Sequence, residues 1–401
     1  MTTTAPTHTE DPARWHEFAL HGFAQPPLPF LLGASRRMAP VTALPKLGWV
    51  VTDPEIGRQI HEDTEHFSIL QQGASGHWWA QMLGDWVYRL FADQEHGVLR
   101  SMVLGLLTQG RREALVDRAC RPMLDALRHD LASGRAVDLA AFSRQYTTRA
   151  MVELIGLPVA STDTIEHEAL FQYCVAMADL AKGTWATTTV SPRNLTRGHR
   201  LADRIGRSVP TVFDTADDTT LIGACRELGL GIEETAGLAV LFLVAGTVTL
   251  ASTMGRLAAL LHDTGTTGRL LTDSALVPTV IREVLRVTSA MPIVGRGVIS
   301  DIDLAGKKLR AGDRVKIFTW TMSNSFGRFD LDRVDTPGIR PIWFGGGPYF
   351  CLGATLTNNL LHEYVATLTG LERPWLVTRR RYAFNTFVPM YRRLDIALTG
   401  P

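Results

Sequence analysis

The residue with the clearest chemical potential in this 401-residue chain is Cys351, which lies in the stretch FGGGPYFCLG at residues 344–353. Glycines in this stretch remove Cβ atoms and permit positive φ, so the backbone can pass close to a bulky group. The segment after Cys351 is compatible with a helix, and a thiolate just before a helix N-terminus is favoured electrostatically. From these residues alone, Cys351 is a packed thiol, a nucleophile or a thiolate ligand of a metal.

The composition restricts the partners. The 41 basic and 40 acidic residues give a net charge of +1, a balance that does not favour nucleic acid or an anionic membrane and leaves small molecules or proteins. The four cysteines, Cys120, Cys174, Cys225 and Cys351, are far apart, so they indicate neither a zinc site nor a disulfide framework. With no signal-peptide pattern at the start, we expect a cytoplasmic protein.

Most of the chain shows apolar residues at spacings of three and four, which predicts helices. The longest prediction is a buried helix from Ile232 to about His262, with acids in its first turn. Strand patterns are few and short, and no repeat or linker divides the sequence. We therefore predict a mainly α fold with a minor β portion, as a single domain over residues 1–401. Two further helical stretches are predicted. One covers residues 102–134 with a break around Gly110, and the other begins with Thr162 or Thr164 as its cap and ends at Gly183. Strands are predicted at 47–53, 314–320 and 392–398.

Two pairs of polar residues have helical spacing. Glu283 and Arg286 are three residues apart, so a carboxylate and a guanidinium can meet on one helix face. His96 and Arg100 are four apart and also share a face. Taken singly, each pair is typical of a solvated helix surface.

The cysteine stretch resembles the haem-ligating loop of the cytochrome P-450 family, F-G-x-G-x-H/R-x-C-x-G. Phe344, Gly345, Gly347, Cys351 and Gly353 match this pattern. The resemblance implies the cytochrome P-450 fold, and haem b whose iron is ligated by the Cys351 thiolate. The family's basic residue, a haem propionate contact, is replaced here by Tyr349, whose hydroxyl could donate one hydrogen bond without a positive charge.

Further family motifs follow in the expected order. The stretch EVLR resembles the family's E-x-x-R element, which gives Glu283 and Arg286 a structural role, with Arg333 as a second arginine for that pair. By the same resemblance, His96, Arg100 and Arg296 provide groups that bind the haem propionates.

The long helix contains VAGTVTLAST, which resembles the family's A/G-G-x-D/E-T signature. Ala245, Gly246 and Thr249 match it, and the small pair implies room over the haem face. Val248 stands where the family has an acid. The acid and the threonine hydroxyl supply protons during oxygen activation in the family, and a valine cannot carry a proton.

The missing acid leaves several functions open. Substrate or another side chain could replace the acid, so that hydroxylation or another oxygen-dependent reaction of natural-product tailoring survives. Oxygen could be activated without insertion, in oxidative coupling, cyclisation or nitration. A redox-neutral rearrangement or nitrene transfer on an activated N–O substrate would need no reductase. A non-enzymatic haem-binding relative is the remaining alternative.

Motif order also implies a substrate region. Its predicted contacts are Trp79, Leu241, Ala245, Ile293, Val294 and Phe387, and further aromatic residues there are Trp78, Trp86, Trp185 and Phe384. Such residues suit a bulky, largely apolar molecule.

Electrons would come from NAD(P)H through a ferredoxin system unless the reaction is redox-neutral. Arg111, Arg112, Arg118 and Arg121 form either a ferredoxin-docking face or a solvated helix face with i, i+4 pairs.

Overall fold

A computed structural model describes residues 11–182, 190–333 and 341–400. In these ranges the fold is mainly α with a minor β portion, which confirms the predicted fold class.

Helices occupy most of the described chain. They are α1 (Pro12–Ala24), α2 (Leu28–Ser35), α3 (Pro54–Glu62), α4 (Ser75–Leu83), α5 (Trp86–Leu90), α6 (Asp93–Leu106), α7 (Gln109–Leu115), α8 (Arg121–Ala132), α9 (Leu139–Ile155), α10 (Thr164–Asp179), α11 (Pro192–Gly206), α12 (Val209–Val212), α13 (Leu221–Glu227), α14 (Ile232–Asp263), α15 (Thr267–Thr272), α16 (Val277–Thr288), α17 (Thr319–Asn324) and α18 (Ala354–Thr369). A π-helical turn, Val116–Cys120, joins α7 to α8.

Ten short strands form three sheets within the described residues. They are β1 (Val41–Leu44), β2 (Gly48–Val51), β3 (Phe67–Ser68), β4 (Val137–Asp138), β5 (Val294–Val298), β6 (Ile302–Leu304), β7 (Lys307–Leu309), β8 (Arg314–Ile317), β9 (Trp375–Tyr382) and β10 (Tyr391–Leu398). The sheet that concerns the site has the order β1-β2-β8-β5-β3. In it β5 and β8 are antiparallel, with Gly295 opposite Lys316 and Arg296 opposite Val315.

Helix α14 is the centre of the core, as the sequence predicted. It packs against α9, α10, α11 and α16, and most of its residues are buried. It is the one described helix long and apolar enough to cross a membrane, with a mean hydropathy of 1.9 in its most apolar window. Because 72% of that window is buried inside the protein, α14 is a core helix.

The predicted break around Gly110 is present and lies at Thr108, between α6 and α7. Other predicted boundaries were wrong by a few residues. Helix α10 is capped by Asp163, whose carboxylate accepts from the Glu166 amide at 2.9 Å, and not by a threonine. An aspartate is the better cap because its charge also suits the helix dipole. Strand β8 ends at Ile317, and α17 begins two residues later inside the predicted strand.

A buried ion cluster fixes the segment between α17 and the cysteine loop. Arg286 forms a bidentate pair with Glu283, with N···O distances of 2.9 and 2.8 Å. Arg333 donates to the same carboxylate at 3.1 Å. The guanidinium of Arg286 also donates to the backbone carbonyls of Ser323 and Gly327. The cluster thus joins α16 to the chain that leads towards Cys351.

Candidate functional site

Cys351 lies between a tight loop and helix α18. Two 3₁₀ turns, Ile342–Phe344 and Gly347–Tyr349, precede it, and α18 begins at Ala354. The Cys351 amide donates to the Phe344 carbonyl at 2.9 Å, which closes the loop. The Cys351 side chain is exposed, although enough protein surrounds the sulfur to raise the pKa of the thiol.

Two glycines of the loop have the positive φ that the sequence predicted, and the close contact that the glycines permit is with α3. Gly347 has φ +61°, and a Cβ there would lie 2.1 Å from the His61 carbonyl oxygen. Gly345 also has positive φ, +76°, and a Cβ on Gly346 would lie 3.1 Å from the Cβ of His61. These glycines therefore allow the loop to contact the end of α3.

Opposing effects act on the Cys351 thiol. Burial raises its pKa above the ordinary value, while the amides of Gly353 and Ala354 and the charge of Arg100 act in the opposite direction. Burial dominates, so the helix N-terminus alone does not give the protein a free thiolate. A cation bound to the sulfur would change that balance, because a coordinating thiol is deprotonated.

Helix α6 contacts the cysteine loop through the two residues predicted to share a face. The His96 ring stacks on the Tyr349 ring, with centroids 4.6 Å apart. The Arg100 Nη1 donates to the Phe350 carbonyl at 2.6 Å. Tyr349 donates its hydroxyl proton to the Phe91 carbonyl at 2.9 Å, so in this structure that proton is directed to the backbone.

Arg296 is a buried cation beside the loop. Its guanidinium contacts Nδ1 of His61 at 2.9 Å and the Gly295 carbonyl at 2.9 Å. No carboxylate oxygen in the described ranges lies within 4 Å of it, and burial lowers its pKa to about 10. The pKa of His61 falls to about 3 through burial and the charge of Arg296, so His61 is neutral. Its Nε2 is buried and has no hydrogen-bond partner among the residues that the structure describes. An anionic group would compensate this cluster.

A largely apolar cavity of about 280 Å³ lies against α14. Among its lining residues are Trp78 and Trp79 from α4, Ile293 and Val294 near β5, and Phe387 before β10. Lys316 from β8 and His77 from α4 provide polar groups in the wall. Cys351 is not one of the lining residues.

Helix α14 contributes Ala245, Val248 and Thr249 to the cavity wall. The Thr249 hydroxyl donates to the Ala245 carbonyl at 2.7 Å. Gly246 does not line the cavity, since a Cβ on this residue would lie 2.6 Å from the Met151 sulfur of α9. Its small size therefore allows two core helices to pack closely.

The six predicted substrate contacts divide into two groups. Trp79, Ala245, Ile293, Val294 and Phe387 line the cavity, whereas Leu241 does not. Leu241 lies one turn before Ala245, and the cavity does not extend that far along the helix. Of the further aromatic residues, Trp78 lines the cavity, Trp86 and Phe384 do not, and Trp185 lies outside the described residues.

The sequence interpretation missed three residues. His61 comes to the loop through the packing of α3, and no motif marks it. Lys316 is one of only five lysines, and it interrupts a buried strand, so its position was a usable signal. Nδ1 of His77 and the Tyr88 hydroxyl form a hydrogen bond of 2.6 Å, and both residues lie close in sequence to Trp78, Trp79 and Trp86.

The four arginines predicted as a possible docking face are largely engaged with the protein. Arg118 pairs with Glu153, and Arg121 pairs with Glu363 and with Asp117 at i, i+4. Arg111 and Arg112 donate to backbone carbonyls. The alternative of a solvated helix face with i, i+4 pairs therefore explains Arg121, which pairs with Asp117.

Comparison with known proteins gives one consistent result. The chain is 28% identical over 275 residues to mycinamicin IV hydroxylase/epoxidase of Micromonospora griseorubida, in an alignment that covers 66% of each protein. It is 27% identical over 284 residues to erythromycin C-12 hydroxylase of Saccharopolyspora erythraea, covering 66% of this chain and 67% of that enzyme. A mutant of cytochrome P-450 EryK with erythromycin B superposes with a TM-score of 0.77 at 23% identity, covering 94% of this chain and 98% of that one. No protein-family model matches the chain.

In the described ranges, no group of three or more histidine, cysteine or acidic side chains is arranged to hold a metal. A single thiol with cationic residues beside it is suited instead to iron carried in an anionic macrocycle, which is the haem-thiolate class. The residues present fit that group, because Arg296 is a buried cation with no carboxylate partner among the described residues. The chain thus has the cytochrome P-450 fold and is similar in sequence to cytochrome P-450 enzymes, and like them it is an oxidoreductase.

Proposed function

We propose that this protein oxidises a bulky, largely apolar natural product in an oxygen-dependent reaction with haem b bound through Cys351. The supporting observation is the apolar cavity against Ala245, Val248 and Thr249, a part of α14 that the family places over its haem. Two of the hydroxylases among the relatives are named for the natural products mycinamicin and erythromycin, which agrees with a tailoring role.

The haem would supply the one-electron and oxygen chemistry when bound. Cys351 would hold its iron, while Arg296, Arg100 and His96 would fix its carboxylates at the side of α6 and β5. The tryptophans, Ile293 and Phe387 would orient the substrate and exclude water from the cavity. Thr249 keeps a hydroxyl at the cavity wall, although its proton is directed to the Ala245 carbonyl.

The electron source and location belong to the same proposal. We expect a soluble, cytoplasmic enzyme that folds as one domain and takes electrons from NAD(P)H through a ferredoxin system. Arg111 of α7 is exposed, and its guanidinium has no acidic partner within 4 Å in the described residues. This supports a role for α7 in docking the ferredoxin.

Carbon monoxide added to the reduced protein tests the haem assignment. We expect the red-shifted Soret band of thiolate ligation, and Cys351→Ser should abolish it. Cys225→Ser, which changes a buried cysteine outside the site, is the matched control and should retain the band. A histidine-type band in the wild-type protein would contradict the proposal.

A second candidate function is redox-neutral catalysis on an activated N–O substrate. Val248 favours it, because an apolar, 2% exposed side chain stands at the position of the family's acid. Turnover that requires NAD(P)H and a ferredoxin system would exclude this candidate. Undiminished turnover without any electron source would establish it and overturn the oxygen-dependent proposal.

A further inference from the structure

Lys316 has an unusual position for a lysine. It lies in β8 between Val315 and Ile317, which are fully buried, and it is itself only 6% exposed. Its ammonium donates to the Gly73 carbonyl at 2.9 Å. Across the sheet it stands opposite Gly295, whose missing side chain leaves room for the ammonium, since a Cβ there would lie 3.3 Å from Nζ.

The charge of Lys316 is poorly compensated by the protein. An ammonium has three donors, and the described residues provide one backbone acceptor and no carboxylate within 4 Å. Burial and the nearby charge of Arg314 lower its pKa to about 8, so the side chain is still mostly charged at neutral pH. A buried cation without a counter-charge is costly unless a ligand supplies one.

Lys316 faces the cavity and not the cysteine loop. Side chains alternate along a strand, so Lys316 and Gly295 share one face of the sheet while Val315 and Arg296 share the other. Arg296 points to His61, which contacts the cysteine loop. Lys316 instead lines the cavity with Trp78 and Trp79. Arg296 and Lys316 therefore have different polar neighbours, His61 and the Gly73 carbonyl respectively.

We propose that Lys316 binds a carboxylate of the substrate. The cavity would then select molecules that have an apolar portion, such as an aromatic ring, and one carboxylate at the end. This inference rests on the proposed function, because it assigns the cavity to substrate. The Gly73 carbonyl holds the ammonium in place when the cavity is free. A carboxylate in the cavity adds a charge-assisted hydrogen bond to the remaining ammonium donors.

The test compares arylalkanoic acids with their methyl esters. 3-Phenylpropanoic, 5-phenylpentanoic and 1-naphthylacetic acids, each with its ester, are titrated into the holoenzyme by calorimetry and by the fluorescence of the cavity tryptophans. We expect at least one acid to bind about tenfold or more tighter than its ester, as a charge-assisted bond in a buried site allows. Lys316→Met should reduce that ratio to about one, by loss of the same interaction.

Controls separate this inference from the proposed function. Lys308→Met, at an exposed lysine of β7, should keep the acid preference. Lys316→Gln is the second variant in case the methionine variant does not fold. Haem content and the carbon monoxide band should be unchanged in both Lys316 variants, whereas their loss would assign the ammonium to a haem carboxylate and overturn the inference. Equal binding of acids and esters, no binding of any acid, or a preference that survives Lys316→Met would also overturn it, while an intact thiolate band would leave the proposed function standing.

Discussion

The ring of Tyr349 stacks on the imidazole of His96 with centroids 4.6 Å apart and planes inclined by 27°. Tyr349 occupies the position at which the family has a basic residue, and its hydroxyl donates to the Phe91 carbonyl. The residue therefore joins the cysteine loop to α6 and to the turn before it. It replaces an electrostatic contact with a packing contact.

Removal of the hydroxyl alone should have a small effect on stability. Tyr349→Phe keeps the stacking and leaves the Phe91 carbonyl without this donor, which should lower the free energy of unfolding by about 1 kcal/mol. Tyr349→Ala, which also removes the ring, should in addition weaken haem retention. Denaturant unfolding and haem content measure the two effects. Haem loss in Tyr349→Phe equal to that in Tyr349→Ala would show that the hydroxyl, and not the ring, is the important group.

Arg296 should have opposite effects on the protein with and without haem. Arg296→Met removes a buried cation that has no carboxylate partner in the described part of the chain, so the apoprotein should be at least as stable as the wild type. The same change should weaken haem binding by about tenfold or more, because a charge-assisted pair is lost. Thermal unfolding of apoprotein and haem transfer to apomyoglobin measure these effects. A less stable apoprotein with unchanged haem affinity would show a purely structural role.

The Glu283 cluster should dominate the stability of the segment before the cysteine loop. Glu283→Gln leaves the buried guanidinium of Arg286 without its counter-charge, so we expect a loss of about 3–5 kcal/mol or failure to fold. Asp332→Asn is the matched control, because it breaks the exposed pair with Arg269, and its unfolding midpoint should equal that of the wild type. Urea unfolding of both variants provides the comparison. Equal midpoints for the two would contradict the importance of the buried cluster.

The geometry of the local motifs could be predicted from the sequence because residues close together in the chain determine it. The spacing of Glu283 and Arg286 fixes a shared helix face, and the loop around Cys351 is closed by a hydrogen bond only seven residues back. The fold class followed from apolar spacing, of which α14 is the strongest case. Only the structure could show that His61 contacts this loop, because α3 lies nearly three hundred residues earlier in the chain.

Helix phase and strand register explain the remaining differences between the sequence prediction and the structure. Gly246 and Ala245 are neighbours in one motif, yet only Ala245 faces the cavity, because α9 covers the side of α14 that carries Gly246. Lys316 faces the cavity because the register places it opposite Gly295. Neither fact is local to its segment, and each depends on an element distant in sequence.

The affinity of the cavity for a carboxylate should depend on pH through Lys316. Its pKa of about 8 means that the ammonium is charged below that pH and neutral above it. The affinity should therefore begin to fall near pH 8, the pKa of the free site. A bound carboxylate raises the pKa of the ammonium, and that higher pKa sets the pH at which the fall levels off. Among the described residues, Arg314 acts on the charge of Lys316 and His77 lines the same cavity. Burial lowers the pKa of His77, which keeps it neutral in this range. Acid binding measured from pH 7 to 10 should fall, while ester binding should stay constant. A flat acid profile would exclude Lys316 as the partner.

Val248 offers a direct test of the missing acid. Val248→Asp places a carboxyl beside Thr249 in the cavity wall, where burial raises its pKa and makes it a proton donor near neutral pH. If proton supply limits an oxygen-dependent reaction, product formed per NAD(P)H consumed should rise by about tenfold or more, within the range of general acid catalysis. Val248→Asn is the matched control, because it has similar size and polarity without an ionisable proton, and it should not reproduce the gain. Coupling is measured from NAD(P)H consumption, peroxide release and product together. An unchanged rate and product profile in Val248→Asp, with the fold intact, would mean that the substrate or another side chain already supplies the proton, or that the reaction needs none.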